Sequence, residues 1–281
     1  MKVVSSNTVA DALLLYIPRL ATILPHDVFD ELVAARDRET HERARIVLDQ
    51  LVKNAQIADA DRVPICQDTG SVWVRLEVGP DVAINGNVFS KVDDAVGDAY
   101  RNAKLRKSMV HDALFDRTNT ETNAPAFCEI HFSPTPGVAR LHIMLKGGGS
   151  DNASRVVMLT PNAGKQGVID TVLQCVKEKA ANACPPLVVG VGVGSTFDKV
   201  GGMAKRALMR PLNKPTEDPQ VRAFEQELLE AINATGIGAG ALGGDTTALG
   251  VRVATAPCHI AALPVAVNMG CSAMRRVTVE L

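Results

Sequence analysis

The hydrophobic period of this chain changes at Ser71, and that change limits the fold more than any other feature of the sequence. From residue 7 to residue 58 apolar positions recur at three-to-four spacing, as in Ala44, Val47, Leu48, Leu51 and Ala55, which predicts helices with a break at Pro25. Between Ser71 and Val78 the pattern becomes alternation. Val72, Val74, Leu76 and Val78 share one face and Trp73, Arg75 and Glu77 the other, as a half-buried strand requires. Helical spacing returns at Val92, Ala95, Val96, Ala99 and Tyr100. The runs Ala126 to Phe132 and Val138 to Leu145 then predict two strands joined by a turn containing Pro134, Pro136 and Gly137. Further on, the pattern predicts a helix from Gly167 to Asn182, a buried β-branched run from Leu187 to Val193 and a helix to Met209. A helix bearing Val221, Phe224, Leu228 and Ile232 follows, with short strands around Val251 to Ala254 and Ile260 to Val267. The fold class is therefore mixed α/β. With no internal repeat, low-complexity tract or polar linker, residues 1–281 read as one domain.

Composition narrows the function. A chain of 281 residues that is 46% hydrophobic has the length to bury a sizeable core. Its 30 basic and 31 acidic residues nearly cancel and no Lys/Arg block forms a phosphate-tracking stripe, so nucleic acid and membrane surfaces are not the expected partners and a small-molecule substrate is. The apolar stretch Ala12 to Ile17 is short, preceded by Asp11 and followed by Pro18, unlike a signal peptide, and no stretch is expected to cross a bilayer. The expected location is the cytoplasm. In a reducing compartment six cysteines read as buried small residues, nucleophiles or metal ligands, not as a disulfide framework.

Three of those cysteines stand where a regular element ends. Cys66 lies in the polar turn Pro64-Ile65-Cys66-Gln67-Asp68-Thr69-Gly70, where a thiolate and a carboxylate share a loop, or where a buried cysteine merely adjoins a turn aspartate. Cys184 precedes Pro185 and Pro186, which forbid helix continuation and set the direction of the exit. Cys271 follows the apolar run Leu263 to Val267. Cys128 and Cys175 fall inside strand and helix patterns and read as core; Cys258 is ambiguous. No pair has C-x-x-C spacing, so spacing alone carries no metal signal.

Glycine marks three further segments. Lys146-Gly147-Gly148-Gly149-Ser150-Asp151-Asn152 follows a strand and offers bare backbone N–H groups to a carboxylate or phosphate, with a plain tight turn as the competing reading; it lacks the Gly-Lys-Ser/Thr of a nucleotide-triphosphate loop. Gly190-Val191-Gly192-Val193-Gly194 resembles a dinucleotide-binding turn only superficially. Its glycine spacing is wrong, and no acidic residue occurs from Lys199 to Thr216 to hold a ribose. The stretch Gly236 to Gly250 reads as flexible site lining or small-residue packing. Arg106 is a candidate carboxylate anchor or a solvated loop residue, and His259 a candidate acid/base group or a hydrogen-bonded structural histidine.

Taken in order, Cys66-Gln67-Asp68-Thr69-Gly70, Lys146-Gly147-Gly148-Gly149-Ser150, Ala183-Cys184-Pro185-Pro186 and His259-Ile260-Ala261-Ala262-Leu263-Pro264 followed by Cys271 resemble the class I fumarate hydratase and L-tartrate dehydratase family over nearly the whole chain. The resemblance implies β-sheets surrounded by α-helices, as in the N-terminal domain of that family. It implies a 4Fe-4S cluster held by Cys66, Cys184 and Cys271, with one iron not ligated by cysteine. Asp68 and His259 match catalytic positions, Asp68 first; Gln67, Arg106, Gly148 and Gly149 match positions that bind a small dicarboxylic acid. The implied reaction is the reversible dehydration of a 2-hydroxy dicarboxylic acid by a hydro-lyase, with (S)-malate to fumarate first and L(+)-tartrate or mesaconate chemistry as alternatives. The chain stops soon after Cys271, without the family's C-terminal swivelling domain. That implies an α subunit whose β subunit carries the rest, in an α2β2 assembly. A non-catalytic cluster-binding assembly subunit is the reading from another class, and a nicotinamide-dependent oxidoreductase a third.

Overall fold

A computed structural model describes residues 2–281. In chain order its elements are β1 (Lys2–Ser5), α1 (Ser6–Thr22), α2 (His26–Arg38), α3 (Glu42–Asp61), β2 (Ser71–Val78), β3 (Val82–Asn85), α4 (Val92–Asn102), β4 (Phe127–Phe132) and β5 (Ala139–Lys146). There follow α5 (Gly148–Asn152), β6 (Arg155–Leu159), α6 (Gly164–Lys179), β7 (Leu187–Ser195), α7 (Phe197–Ala207), α8 (Pro219–Asn233), β8 (Ala248–Cys258), β9 (Leu263–Gly270) and β10 (Arg275–Glu280). The mixed α/β class expected from the sequence is the class found.

The chain divides into two compact units that interleave along the sequence. The first comprises the stretch up to Pro25, Ala55–Gly148 and Arg275–Leu281; the second comprises His26–Asn54 and Gly149–Met274. No linker composition marks the crossings, so the sequence reads as one domain.

In the first unit a four-stranded sheet has the order β10-β5-β2-β4, with β2 antiparallel to β5 and parallel to β4; β1 and β3 form a separate parallel pair. The strand β2 was expected to bury one face. Val72, Val74, Leu76 and Val78 are buried against Leu13 and Ile17 of α1 and Val96 and Tyr100 of α4. On the opposite face Trp73 and Arg75 are buried too, and Arg75 Nη1 donates to Glu129 Oε1 at 2.7 Å. The expected hairpin of β4 and β5 does not form. Both strands flank β2 instead, because a parallel β2–β4 pair leaves β5 to close on the other side of β2. Residues 6–38, which form α1 and α2, hold one window apolar enough by composition to cross a membrane, of which half is buried. Val9, Leu13, Ile17 and Leu20 account for that apolarity as the core face of α1.

In the second unit the sheet has the order β6-β9-β7-β8, antiparallel except for β7 with β8. Val168, Val172 and Val176 of α6 and Leu228 and Ile232 of α8 pack with Val189, Val191, Val251 and Val267 of the strands. Each such burial contributes about 1.5–3 kcal/mol relative to exposure. The Gly190-Val191-Gly192-Val193-Gly194 segment is not a turn; it lies within β7. A Cβ on Gly190 would stand 2.3 Å from the Ala204 carbonyl oxygen and one on Gly192 2.6 Å from that of Val200. Those glycines let α7 lie close on the strand, which accounts for them without a nucleotide.

Candidate functional site

The first unit carries Cys66, Gln67, Asp68, Arg106 and Gly148, and the second carries Gly149, Cys184, His259 and Cys271.

In the first unit the loop from Cys66 to Gly70 runs into β2. Cys66 is half-buried and its thiol donates to Gln67 Oε1 at 3.2 Å. Asp68 is held at both oxygens: Oδ1 accepts the Gly70 N–H at 3.0 Å and Oδ2 the Gly148 N–H at 2.8 Å. The Gly148 N–H, expected to face a substrate carboxylate, therefore orients Asp68 in this conformation. Gly70 has φ +80°, and a Cβ there would approach Lys146 N to 2.8 Å, so only glycine brings this loop against the end of β5. Arg106 is exposed and its guanidinium forms no ion pair among the described residues, which leaves a cation available to an anionic ligand.

Three residues that the sequence reading passed over tie these parts together. The Thr69 hydroxyl donates to the Arg106 carbonyl. The Tyr100 hydroxyl donates to the Thr69 and Gly70 carbonyls at 3.0 and 2.9 Å, and Asn123 Nδ2 donates to the Gly70 carbonyl at 3.0 Å while its Oδ1 accepts the Ser108 N–H at 2.8 Å. Burial pushes the Tyr100 phenol well above its ordinary pKa, so it remains a neutral donor. Tyr100 shows in sequence only as an apolar helix-face residue, and nothing near Asn123 signals a partner 53 residues away.

In the second unit Cys184 follows a short 3-10 turn, Ala180–Ala183, that ends the helical stretch where the two following prolines led one to expect; the residue has φ +54° and is exposed. Cys271 is half-buried and follows Gly270, where a Cβ would stand 3.2 Å from the Val188 carbonyl. The Ser272 N–H donates to the Cys184 carbonyl at 3.1 Å, which joins the two cysteine-bearing segments. Behind Cys184, the Gly240 N–H donates to the Pro185 carbonyl at 2.9 Å. The glycine-rich stretch is thus packing that buttresses this exit. Its far end is anchored by Glu39, a buried carboxylate that accepts the Asp245 N–H at 2.9 Å and the Thr246 N–H at 3.2 Å. Glu39, His41 and Asp245 each bring a donor atom within 4.8 Å of the others, but the Glu39 oxygens are already engaged by backbone N–H groups. The Lys146–Asn152 loop turns into α5, where Asp151 Oδ1 stands 3.7 Å from Lys205 Nζ and a Cβ on Gly149 would meet the Asn182 carbonyl at 2.9 Å. His259 is exposed in the loop between β8 and β9; its Nδ1 accepts the Ala261 N–H at 3.1 Å, which places the ring hydrogen on Nε2 in the neutral form.

The remaining cysteines separate from these three. Cys175 is buried in α6, its thiol donating to the Ala153 carbonyl at 3.2 Å and pushed up by burial. Cys128, expected in the core, is exposed because β4 is an edge strand; burial of the sulfur itself, with the Asp93 carboxylate beside it, still pushes the thiol up to about 12. Cys258 donates to the Ala262 carbonyl at 3.1 Å. Cys66 of the first unit and Cys184 and Cys271 of the second lie on loops and outside disulfides, and the latter two sit on segments bonded to each other; a thiol is a ligand type suited to iron or another thiophilic metal. A cavity of about 790 Å³, lined by Arg36, Arg45, Asp49 and Lys53 among others, holds none of the residues expected in the site.

A family model described as fumarate hydratase (Fumerase) matches residues 11–280. A protein of Methanocaldococcus jannaschii provisionally named L(+)-tartrate dehydratase subunit alpha is 36% identical over 261 residues, 91% of each chain. The L(+)-tartrate dehydratase subunit alpha of Escherichia coli K12 is 32% identical over 262 residues, covering 92% of this chain and 86% of the relative. That of Shigella sonnei is similar to the same extent.

Proposed function

The chain belongs to the fumarate hydratase family and is a hydro-lyase, and on that premise we propose that it is the α subunit of a 4Fe-4S enzyme that dehydrates a four-carbon 2-hydroxy dicarboxylic acid. The observation that carries the reading is the Cys66–Gly70 loop, which sets a free thiol two residues from a carboxylate locked by two backbone N–H groups, with the Arg106 segment bonded to the same loop. Cys66, Cys184 and Cys271 would hold the cluster. When bound, the cluster would supply Lewis-acid chemistry toward the substrate hydroxyl.

The chain's own residues do the rest. Asp68 takes the proton next to the substrate carboxylate, and its two fixed hydrogen bonds hold the accepting oxygen in place through the step. Arg106 pairs with a substrate carboxylate, Gln67 and the Gly149 N–H supply further donors, and Gly148 orients the base. His259, with Nε2–H outward, donates or returns a proton at the leaving oxygen. Residues 1–281 form the N-terminal-type catalytic chain, and the C-terminal swivelling domain belongs to a β subunit in an α2β2 assembly; the relatives' names, subunit alpha, support the partner.

Two substrates stand together. The Ser150-Asp151-Asn152 run, whose Ser-acid-Asn pattern resembles fumarate hydratases more than tartrate dehydratases, has structural duties in α5: Ser150 is buried and Asp151 pairs with Lys205. The relatives' names favour L(+)-tartrate. Anaerobic co-expression with the β chain, followed by rates on (S)-malate, L(+)-tartrate and mesaconate, tests the reading. Turnover of one of these acids, abolished by Asp68→Asn with iron retained, is expected. Inactivity on all three would refute the substrate class, and an unchanged rate in the Asp68→Asn complex would favour an assembly subunit.

A further inference from the structure

We infer that Thr69, Tyr100 and Asn123 are positioning residues that fix the distance between the proton-transferring carboxylate of Asp68 and the carboxylate-binding guanidinium of Arg106. The inference rests on the proposed function and assigns a role to three side chains whose hydrogen bonds run to backbone groups of the site loops.

All three are buried, with Thr69 1% exposed and Tyr100 and Asn123 0% exposed. Buried polar side chains are costly unless their hydrogen bonds are made, so their placement demands a return in order. Here every bond links the same two segments. Arg106 is anchored directly by the Thr69 hydroxyl at its own carbonyl. It is also anchored on either side: the Leu105 N–H donates to the Tyr100 carbonyl at 2.9 Å, and the Ser108 N–H donates to Asn123 Oδ1. Those two flanking anchors, Tyr100 and Asn123, converge on one acceptor, the Gly70 carbonyl, two residues beyond Asp68. Asn123 has φ +62°, a left-handed conformation that asparagine tolerates better than most residues and that is maintained here with the side chain fully buried. The Gly70 N–H meanwhile holds Asp68 Oδ1. Acid/base group and cation are thus mounted on one rigid frame, while the Arg106 side chain stays exposed. A frame of this kind acts through geometry, since a misplacement of about 1 Å can cost on the order of 100-fold in rate.

Thr69→Val removes the hydroxyl at nearly constant shape, and Thr69→Ser restores it. In the anaerobically prepared αβ complex, with whichever of (S)-malate and L(+)-tartrate the wild type turns over, Thr69→Val is expected to raise KM about 10-fold and to lower kcat/KM by 10- to 100-fold. Iron per α chain and thermal midpoint should remain near wild type, and Thr69→Ser should recover most of the loss. Asn123→Asp, which keeps the acceptor for Ser108 but loses the donor to Gly70, should resemble Thr69→Val. Wild-type kinetics in Thr69→Val, equal impairment of Thr69→Val and Thr69→Ser, or a loss that tracks iron content would each overturn the inference. A wild-type complex inactive on both acids would instead refute the proposed function, so the two failures are distinct.

Discussion

Gly190 and Gly202 lie within a few residues' reach of the same β7–α7 packing, yet alanine should act on them in opposite directions. A Cβ on Gly190 would stand 2.3 Å from the Ala204 carbonyl oxygen and 2.8 Å from Leu208 Cγ, whereas ordinary contact begins at 3.4 Å. Helix α7 must therefore retreat by about 1 Å, and it carries Val200 and Ala204, both 0% exposed, away from Ala266 of β9. Overpacking of this kind costs about 1–3 kcal/mol. Gly202 lies inside α7 with nothing within 4 Å of its Cβ position, and there alanine removes the entropic penalty of a helical glycine, a gain of about 0.5–1 kcal/mol. Urea unfolding of the metal-free chain, followed by circular dichroism, should show the Gly190→Ala midpoint below wild type and the Gly202→Ala midpoint at or above it, with similar slopes. Equal midpoints for Gly190→Ala and wild type, or equal destabilisation by both substitutions, would refute the packing argument and reopen a ligand-binding role for the glycines.

Glu39→Gln should lower stability by about 1.5–3 kcal/mol, because an amide NH2 would face backbone N–H groups that the carboxylate now satisfies; an unchanged unfolding midpoint would count against its anchoring role. Acid should destabilise the first unit through His142, which sits 3.3 Å from Glu77. Burial, outweighing the Glu77 bond, pushes the His142 pKa down, so below about pH 6.5 the unfolded chain takes up a proton that the folded one resists, and stability falls. Burial alone would raise the Glu77 pKa, but His142 and Arg140 outweigh it and lower the value, which extends the loss into the carboxylate range. The thermal midpoint of His142→Gln should accordingly vary less between pH 7 and pH 5 than that of wild type; parallel curves would contradict the assignment.

What the sequence makes legible is local. Periodicity finds α1 to α4, β2, β7 and α8 because each depends on its own apolar face. It misses β6 and β10, and it joins β4 to β5. Turn chemistry around Pro134 to Gly137 suits a hairpin, whereas the actual partner of both strands, β2, lies 54 residues upstream of β4 and 61 to 75 residues upstream of β5. The interleaving of the two units leaves no compositional trace. The site divides in the same way. Its chemically distinctive residues, Cys66, Asp68, Arg106 and the glycines, show in their loops, whereas Thr69, Tyr100 and Asn123 acquire meaning only once their bonds to Gly70 and Arg106 are visible.

The most direct test of the account is the iron and sulfide content of the anaerobically purified αβ complex, measured for wild type and for Ser substitutions at each of the six cysteines. A three-cysteine cluster predicts roughly four irons and four sulfides per α chain in wild type, their loss in Cys66→Ser, Cys184→Ser and Cys271→Ser, and their retention in Cys128→Ser, Cys175→Ser and Cys258→Ser. Iron-free wild type after reconstitution, or a cluster that survives replacement of any of the three loop cysteines, would contradict it.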